Sequence, residues 1–241
     1  MTSLELIGFD GDDTLWRSQE FYDAAQAEFE RIVGAYVDLA DGGLHERLLA
    51  IETRNLRVFG YGAKGMALSM IEAAYEISEG RIDTAGLHRF AELGKEVLAH
   101  PVELLPGIRA AVEAVAASYR VVLITKGDLI HQQSKVARSA LGDLFHRIEI
   151  VSEKDPPAYA HVLRECEVAA ERFAMIGNSL RSDIAPVVAL GGWGVYMPYH
   201  ATWAYERDTD FSAEGPRVVE VAGAGGIRAA VDELEHRARG C

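Results

Sequence analysis

Two aspartates spaced two apart follow directly on an apolar run near the start of the chain. Asp10 and Asp12 come after residues 4–9, and Asp13 stands beside them. Because side chains at i and i+2 of an extended backbone point the same way, both carboxylates are expected at one edge of a sheet. Three crowded carboxylates repel each other unless a cation lies among them or one holds a proton. The same residues alone also fit a polar turn with a helix N-cap.

Polar residues of complementary charge follow two later apolar runs. Thr125 and Lys126 come after the run 119–124, where a hydroxyl and backbone N–H groups near a helix N-terminus suit an anion. Lys154 precedes a helix whose start is marked by two prolines, at 156 and 157. Taken singly, the threonine also fits a helix cap and the lysine a solvated surface charge.

A fourth apolar run, 172–176, is followed by a segment rich in oxygen ligands. Gly177 permits a tight turn, and Asn178 and Asp183 then lie on either side of a helix start. Carboxylate and amide oxygens are the ligands that Mg²⁺ prefers, with several waters retained. The segment alone also fits a cap box, so the order of all four segments carries more information than any one of them.

The elements that must position these residues alternate in type from about residue 102 onward. Such alternation is typical of an α/β fold with a doubly wound parallel sheet, a Rossmann-like core in which ligands bind beyond the carboxyl ends of the strands. The predicted strands are 119–124, 148–151, 172–176, 194–197 and 217–221, and the predicted helices are 107–117, 128–141, 157–169, 180–190 and 226–238.

The stretch 17–101 does not alternate and is predicted to be all-helical. Its expected helices are 18–40, 43–58, 64–79 and 84–99, with a break at 41–43 and with Asp83 or Thr84 as the last N-cap. The sequence therefore predicts an α/β core formed by residues 1–16 and 102–241, with an all-helical cap domain, 17–101, inserted after the first strand and its loop.

Composition limits the classes of partner. The chain has 241 residues, a formal net charge of −13 and no basic run, so binding to nucleic acid or to an anionic membrane is not expected. No window approaches the ~18 consecutive apolar residues of a membrane span. Neither a signal-peptide pattern nor a Cys-x-x-Cys spacing is present, and Cys166 and Cys241 are not expected to form a disulfide. These features favour a cytoplasmic protein. A monomer or a homodimer is expected, although the sequence does not distinguish the two.

Taken together and in order, the four segments resemble those of the haloacid dehalogenase-like (HAD) hydrolases, which carry a similar helical cap. The resemblance implies that Asp10 is a nucleophile forming an aspartyl-phosphate and that Asp12 is the general acid and base. It also implies that Thr125 and the backbone N–H of Lys126 hold the phosphoryl oxygens, and that Lys154 neutralises the developing charge. The implied Mg²⁺ ligands are Asp10, the Asp12 carbonyl, Asn178 and Asp183.

The chain departs from the family pattern at three positions. Asn178 stands where many members carry Asp, so the metal site lacks one negative charge and is expected to bind Mg²⁺ more weakly. Lys126 replaces the more usual Asn, and its side chain either adds positive charge or points away. Asp13 replaces the more common Gly, which is expected to leave the chemistry unchanged.

Within the family, the resemblance favours a Mg²⁺-dependent phosphatase that acts on a small phosphorylated metabolite. A hydrolytic 2-haloacid dehalogenase is disfavoured because halide release needs no proton from Asp12. A phosphosugar mutase and a non-catalytic binding protein that retains the fold remain alternatives. The cap loop 57–65, with Tyr61 and Lys64, is a candidate specificity element, although an ordinary helix connection also fits it. His200 follows a strand and is expected near the mouth of the site, as a titrating group or a packed loop residue.

Overall fold

The computed structural model describes residues 3–37, 43–207 and 209–240. The chain divides into two units. The first comprises Met1–Arg17, Val102–Lys126 and Gln132–Cys241, and the second comprises Ser18–Pro101 and Gly127–His131.

The first unit is built on a parallel sheet whose order, over the described residues, is β3-β2-β1-β4-β5-β6. Each pair of neighbouring strands is parallel, and β1 lies at the centre between β2 and β4. This confirms the predicted α/β class and doubly wound sheet. The strands are β1 (Leu6–Phe9), β2 (Arg120–Lys126), β3 (Arg147–Val151), β4 (Phe173–Gly177), β5 (Trp193–Tyr196) and β6 (Val218–Glu220).

The second unit is helical throughout the part that the structure describes. Its helices are α1 (Gln19–Val33), α2 (Leu44–Phe59), α3 (Ala63–Ile77) and α4 (Thr84–Ala99). The Asp83 side chain caps α4 by accepting a hydrogen bond from Gly86 N at 2.7 Å. Phe29, Met70 and Phe90 are fully buried in its own apolar core. The end of the first helix predicted at 38–40 and the break at 41–42 lie outside the described residues.

The remaining helices flank the sheet. They are α5 (Ile108–Ala116), α6 (Leu129–Ser139, of which 132–139 belong to the first unit), α7 (Pro156–Glu165), α8 (Ala185–Ala189), α9 (Ala204–Arg207) and α10 (Ile227–Gly240). Among the described residues, no helix is both long and apolar enough to cross a membrane. Cys166 is a buried free thiol, and Cys241 lies outside the described residues.

The central strand is apolar along its whole length because both of its faces are covered. Ile7 and Phe9 pack into one core with α5 and α10, whereas Leu6 packs into a second core that includes Tyr159 of α7 and Phe173 of β4. Buried parallel strands characteristically lack polar alternation for this reason. The arrangement fixes the carboxyl end of β1, and with it Asp10, in the middle of the sheet edge.

The structure differs from prediction after β4. The helix expected over 180–190 is a π-helical turn, Leu180–Ile184, followed by the short α8. Pro186 lies in the first turn of α8, where its missing N–H costs no hydrogen bond, and this favours a new helix start there. Isolated π-helical turns are rare in proteins, and those that occur are often found at functional sites.

Candidate active site

The loop after β1 is a tight turn that begins at Asp10. The Asp10 N–H donates to the Ile176 carbonyl at 2.9 Å, which continues the pairing with β4 by one residue. Asp13 then adopts a left-handed conformation with φ of 63°, and its N–H donates to the Trp16 carbonyl at 2.7 Å. Asp tolerates this region better than most residues, although glycine enters it without steric cost. The left-handed backbone at position 13 thus explains why the family pattern more commonly has glycine there.

Three charged side chains from three strand ends meet at the centre of the site. Lys154 Nζ lies 2.5 Å from Asp10 Oδ1 and 2.6 Å from Asp183 Oδ1, so one ammonium is shared by two carboxylates. All three residues are buried. Lys154 is held just before α7, where the Asp155 carboxylate caps the helix by accepting from Ala158 N at 2.9 Å.

Burial and the neighbouring charges shift the pKa values of Asp10 and Lys154 in the same direction. Burial raises the pKa of Asp10 to about 7, with Lys154 opposing the rise and the charge of Asp183 adding to it. Burial alone would lower the pKa of Lys154, but the two carboxylates outweigh it and hold that pKa well above its ordinary value. A second cation would allow Asp10 to ionise at neutral pH.

Two further oxygen-bearing side chains lie next to Asp10. Thr14 Oγ1 is 2.9 Å from Asp10 Oδ2 and 3.3 Å from Asn178 Oδ1, so one hydroxyl lies between the Asp10 carboxylate and the amide oxygen of Asn178. Asp183 Oδ2 accepts from Ser179 N at 2.9 Å. A Cβ added at Gly177 would stand 2.2 Å from Asp183 Oδ2, so this carboxylate occupies the space that the glycine leaves.

The donor set fits a hard divalent cation. Among the described residues no three His, Cys, Asp or Glu side chains form a group that could hold a metal, so such a site depends on amide and carbonyl oxygens as well. Asp10 and Asp183 would provide the carboxylates of such a site, and Asn178 would provide an amide oxygen. Oxygen ligands with water completing the coordination are what Mg²⁺ requires.

Thr125, the penultimate residue of β2, lies against the same turn. It is almost fully buried, and its hydroxyl oxygen would lie only 3.0 Å from a Cβ added at Gly11. The predicted anion-holding hydroxyl therefore lies beside the segment that joins Asp10 to Asp12.

Asp12 has partners that the sequence did not indicate. Its Oδ1 accepts from Lys135 Nζ at 2.7 Å and from Trp16 Nε1 at 2.6 Å, and its Oδ2 accepts from Gln132 Nε2 at 2.9 Å. Burial alone would raise the pKa of Asp12, but these three donors outweigh it and hold the pKa below its ordinary value. Gln132 and Lys135 are three residues apart and therefore lie on one face of α6. This spacing is the sequence signal that could have predicted that they contact the same group.

The side chain of Lys126 is directed toward a carboxylate that sequence reasoning missed. Its Nζ lies 2.5 Å from Glu206 Oε1 and 2.8 Å from Ser182 Oγ, and Glu153 is 3.6 Å away. Glu206 is on α9, within a connection that has no hydrophobic period, so no pattern in the sequence marks it.

The remaining sequence candidates lie elsewhere. The His200 side chain is exposed, and its ring centroid lies 4.3 Å from that of Tyr199. Only residues 60–62 of the predicted loop 57–65 connect α2 to α3, and Lys64 lies in the first turn of α3. Its Nζ pairs with Asp128 within the second unit, at 2.8 Å. Tyr61 of the same loop is partly buried.

The chain is similar to known hydrolases over nearly its whole length. The family model of haloacid dehalogenase-like hydrolases matches residues 4–191. A haloacid dehalogenase-like family hydrolase from Xanthomonas campestris is 53% identical, with a TM-score of 0.87, over 98% of this chain and 94% of that one. Among curated proteins, none matches this chain.

Two more distant structures share the fold. A 2-haloacid dehalogenase from Pseudomonas syringae pv. tomato is 20% identical, with a TM-score of 0.59, over 95% of this chain and 98% of that one. A predicted phosphoglycolate phosphatase from Haemophilus somnus is 17% identical, with a TM-score of 0.62, over 94% and 97%. Their different activities show that the fold does not determine the substrate.

Proposed function

This chain belongs to the haloacid dehalogenase-like hydrolase family, and from that premise we propose that it is a Mg²⁺-dependent phosphatase of a small phosphorylated metabolite. The observation that carries the proposal is the ammonium of Lys154 shared between Asp10 and Asp183, at 2.5 and 2.6 Å. Asp10 is a buried carboxylate that accepts hydrogen bonds on both oxygens, from Lys154 on Oδ1 and from Thr14 on Oδ2.

Asp10 serves as the nucleophile in this proposal. One of its carboxylate oxygens attacks phosphorus, a new O–P bond forms, and the bond from phosphorus to the leaving alcohol breaks. Lys154 and Thr125 stabilise the charge that spreads over the phosphoryl oxygens, together with the backbone N–H of Lys126. Bound Mg²⁺ supplies the positive charge that lets an anionic carboxylate approach an anionic phosphate, and members of this family commonly use it.

Asp12 moves the protons. The three donors hold the pKa of Asp12 below its ordinary value in the free protein, so in this proposal Asp12 takes up a proton when the substrate binds. It donates that proton to the departing alkoxide and later takes one from the water that hydrolyses the aspartyl-phosphate, which releases inorganic phosphate and restores Asp10. A departing halide needs no such proton, so the presence of Asp12 favours phosphate esters over haloacids. Three donors orient the Asp12 carboxylate, which supports a dedicated position for it.

The helical stretch is proposed to act as a cap. Residues 17–101 are inserted directly after the turn that carries Asp10 and Asp12, while the strand ends that carry the other candidates lie in 102–241. A cap would exclude bulk water during the aspartyl-phosphate stage and contribute contacts to the leaving group. The free thiol of Cys166 is compatible with a cytoplasmic setting.

One assay tests the proposed activity. Turnover of p-nitrophenyl phosphate and of 2-chloropropionate is measured with Mg²⁺ and with EDTA, for the unmodified protein and for Asp10→Asn. We expect phosphate release only with Mg²⁺ and only from the unmodified protein, without halide release. Halide release from 2-chloropropionate, or phosphate release that survives Asp10→Asn, would contradict the proposal.

A further inference from the structure

Glu206 lies on α9, in the connection between β5 and β6, and its carboxylate accepts hydrogen bonds from three side chains. Its side chain is only 12% exposed. Oε1 accepts from Lys126 Nζ at 2.5 Å, and Oε2 accepts from Ser179 Oγ and from Ser182 Oγ, both at 2.6 Å. Burial alone would raise the pKa of Glu206, but these partners outweigh it and keep the pKa below its ordinary value. The residue is therefore a largely buried anion, and both of its carboxylate oxygens accept hydrogen bonds.

The two serines belong to the turn that carries Asp183. Ser179 donates its backbone N–H to Asp183 Oδ2 at 2.9 Å, and its hydroxyl donates to Glu206. The same hydroxyl oxygen accepts from Ser182 N at 3.0 Å. Ser179 thus contacts Glu206 through its side chain and Asp183 through its backbone, so a shift of one carboxylate would displace the other.

A second contact attaches the same connection to the same turn. The Arg181 guanidinium stacks over the Tyr205 ring at 4.1 Å from its centroid and donates to the Tyr205 carbonyl at 3.1 Å. Because α9 has only four residues, Ala204–Arg207, it has little stability of its own and depends on such contacts for its position.

Glu206 is also the partner of Lys126, which stands next to Thr125 at the end of β2. The ammonium bonds both Glu206 and Ser182, so it joins this strand end to the turn after β4. The opposite charges reduce the cost of burying either one.

From this network we infer that Glu206 is a positioning residue for the divalent-cation site: it holds the turn 178–183 in the conformation that presents the oxygens of Asn178 and Asp183. The inference rests on the proposed function, since it concerns the same cation. Partners that orient metal ligands through hydrogen bonds typically change metal affinity about 10- to 100-fold when they are removed.

The test measures binding of the metal alone. Mn²⁺ replaces Mg²⁺ because free Mn²⁺ is counted directly by electron paramagnetic resonance, and titrations compare Glu206→Ala, Glu206→Gln and Ser182→Ala with the unmodified protein. Glu214→Gln is the control, because this exposed carboxylate lies on the same connection between β5 and β6. Near-UV circular dichroism checks that each variant is folded.

We expect the Mn²⁺ dissociation constant to rise about tenfold or more in both Glu206 variants, several-fold in Ser182→Ala, and not at all in the control. With p-nitrophenyl phosphate, the Mg²⁺ concentration for half-activation should rise in parallel, while kcat at saturating Mg²⁺ stays within a few-fold. A purely structural role would lower kcat without this separation.

Unchanged Mn²⁺ affinity in the folded Glu206 variants would overturn the inference. If Glu206→Ala does not fold, unchanged affinity in Ser182→Ala would overturn it equally. An unmodified protein that binds Mn²⁺ yet hydrolyses no phosphate ester would instead contradict the proposed function, so the two failures are distinguishable.

Discussion

Lys135 Nζ lies 2.7 Å from Asp12 Oδ1, which joins a buried lysine of α6 to the proposed acid and base of the turn after β1. The same carboxylate receives Gln132 on its other oxygen. Asp12 is therefore oriented by the helix that follows β2, and not only by its own turn.

Replacing Lys135 should reduce the turnover of substrates whose leaving group needs a proton more than the turnover of substrates whose leaving group does not. Lys135→Met removes a donor that orients Asp12 but keeps Asp12 itself, so we expect turnover of an alkyl phosphate to fall about 10- to 100-fold, which is at or below the roughly 10²- to 10⁴-fold that general acid–base catalysis contributes. p-Nitrophenolate departs without a proton, so p-nitrophenyl phosphate should lose less. Steady-state kinetics with both substrates measures the ratio.

Arg138→Met is the matched control, because Arg138 is an exposed cation on the same helix. It should leave the ratio unchanged. Equal losses on both substrates in Lys135→Met would mean that the lysine has a general structural role, and would contradict its role in orienting Asp12.

The sheet and its strand ends could be predicted from the sequence because they depend on patterns of neighbouring residues. Runs of β-branched and apolar residues between polar turns predict buried parallel strands, and polar residues placed directly after those runs must gather at one edge. Lys154 was predicted in this way, and the structure brings it to Asp10 and Asp183. The catalytic and metal-binding roles of these residues remain predictions.

Long-range partners could not be predicted in the same way. Glu206 contacts Lys126 across 80 positions, and neither hydrophobic period nor spacing relates the two. The prediction left the direction of the Lys126 side chain open for that reason. The π-helical turn Leu180–Ile184 was likewise missed, because its residues also fit the first turns of an ordinary helix.

Cation binding should stabilise the protein. Because Asp10 and Asp183 share one ammonium, added Mg²⁺ is expected to raise the thermal unfolding midpoint relative to EDTA. At a free Mg²⁺ concentration of 100 times the dissociation constant, the free energy of unfolding should rise by about 2.7 kcal/mol. Asp183→Asn should reduce this gain. Differential scanning fluorimetry with and without Mg²⁺ measures it, and an identical gain in the variant would exclude Asp183 from the cation site.

A side chain at position 177 should disable the site through sterics alone. The Cβ of Gly177→Ala would overlap Asp183 Oδ2, at 2.2 Å, so the Asp183 carboxylate must leave its present position. We expect loss of more than about 90% of phosphatase activity and a destabilisation of about 1–3 kcal/mol, typical of overpacking. Gly225→Ala is the control, because an added Cβ there meets open space. Full activity in Gly177→Ala would show that Asp183 need not keep its position.

Ionisation of Glu52, on α2, should make the stability of the protein depend on pH. Burial raises its pKa from the ordinary 4.5 to about 7, so the folded protein holds this proton more tightly than the unfolded chain. Stability is then lost as pH rises from about 4.5 through 7, because ionisation favours the unfolded chain. Glu52→Gln removes this effect and should stabilise the protein by roughly 1–3 kcal/mol at pH 8, since one pKa unit corresponds to about 1.4 kcal/mol, with little gain at pH 4.5.

Urea unfolding at pH 4.5 and pH 8 measures both stabilities. Glu46→Gln is the matched control, because Glu46 is exposed on the same helix, and its effect should not grow between the two pH values in the same way. A gain for Glu52→Gln that is equal at both pH values would show that its benefit comes from packing. In that case the charge of the partly buried Glu52 would not be what destabilises the helical unit above neutral pH.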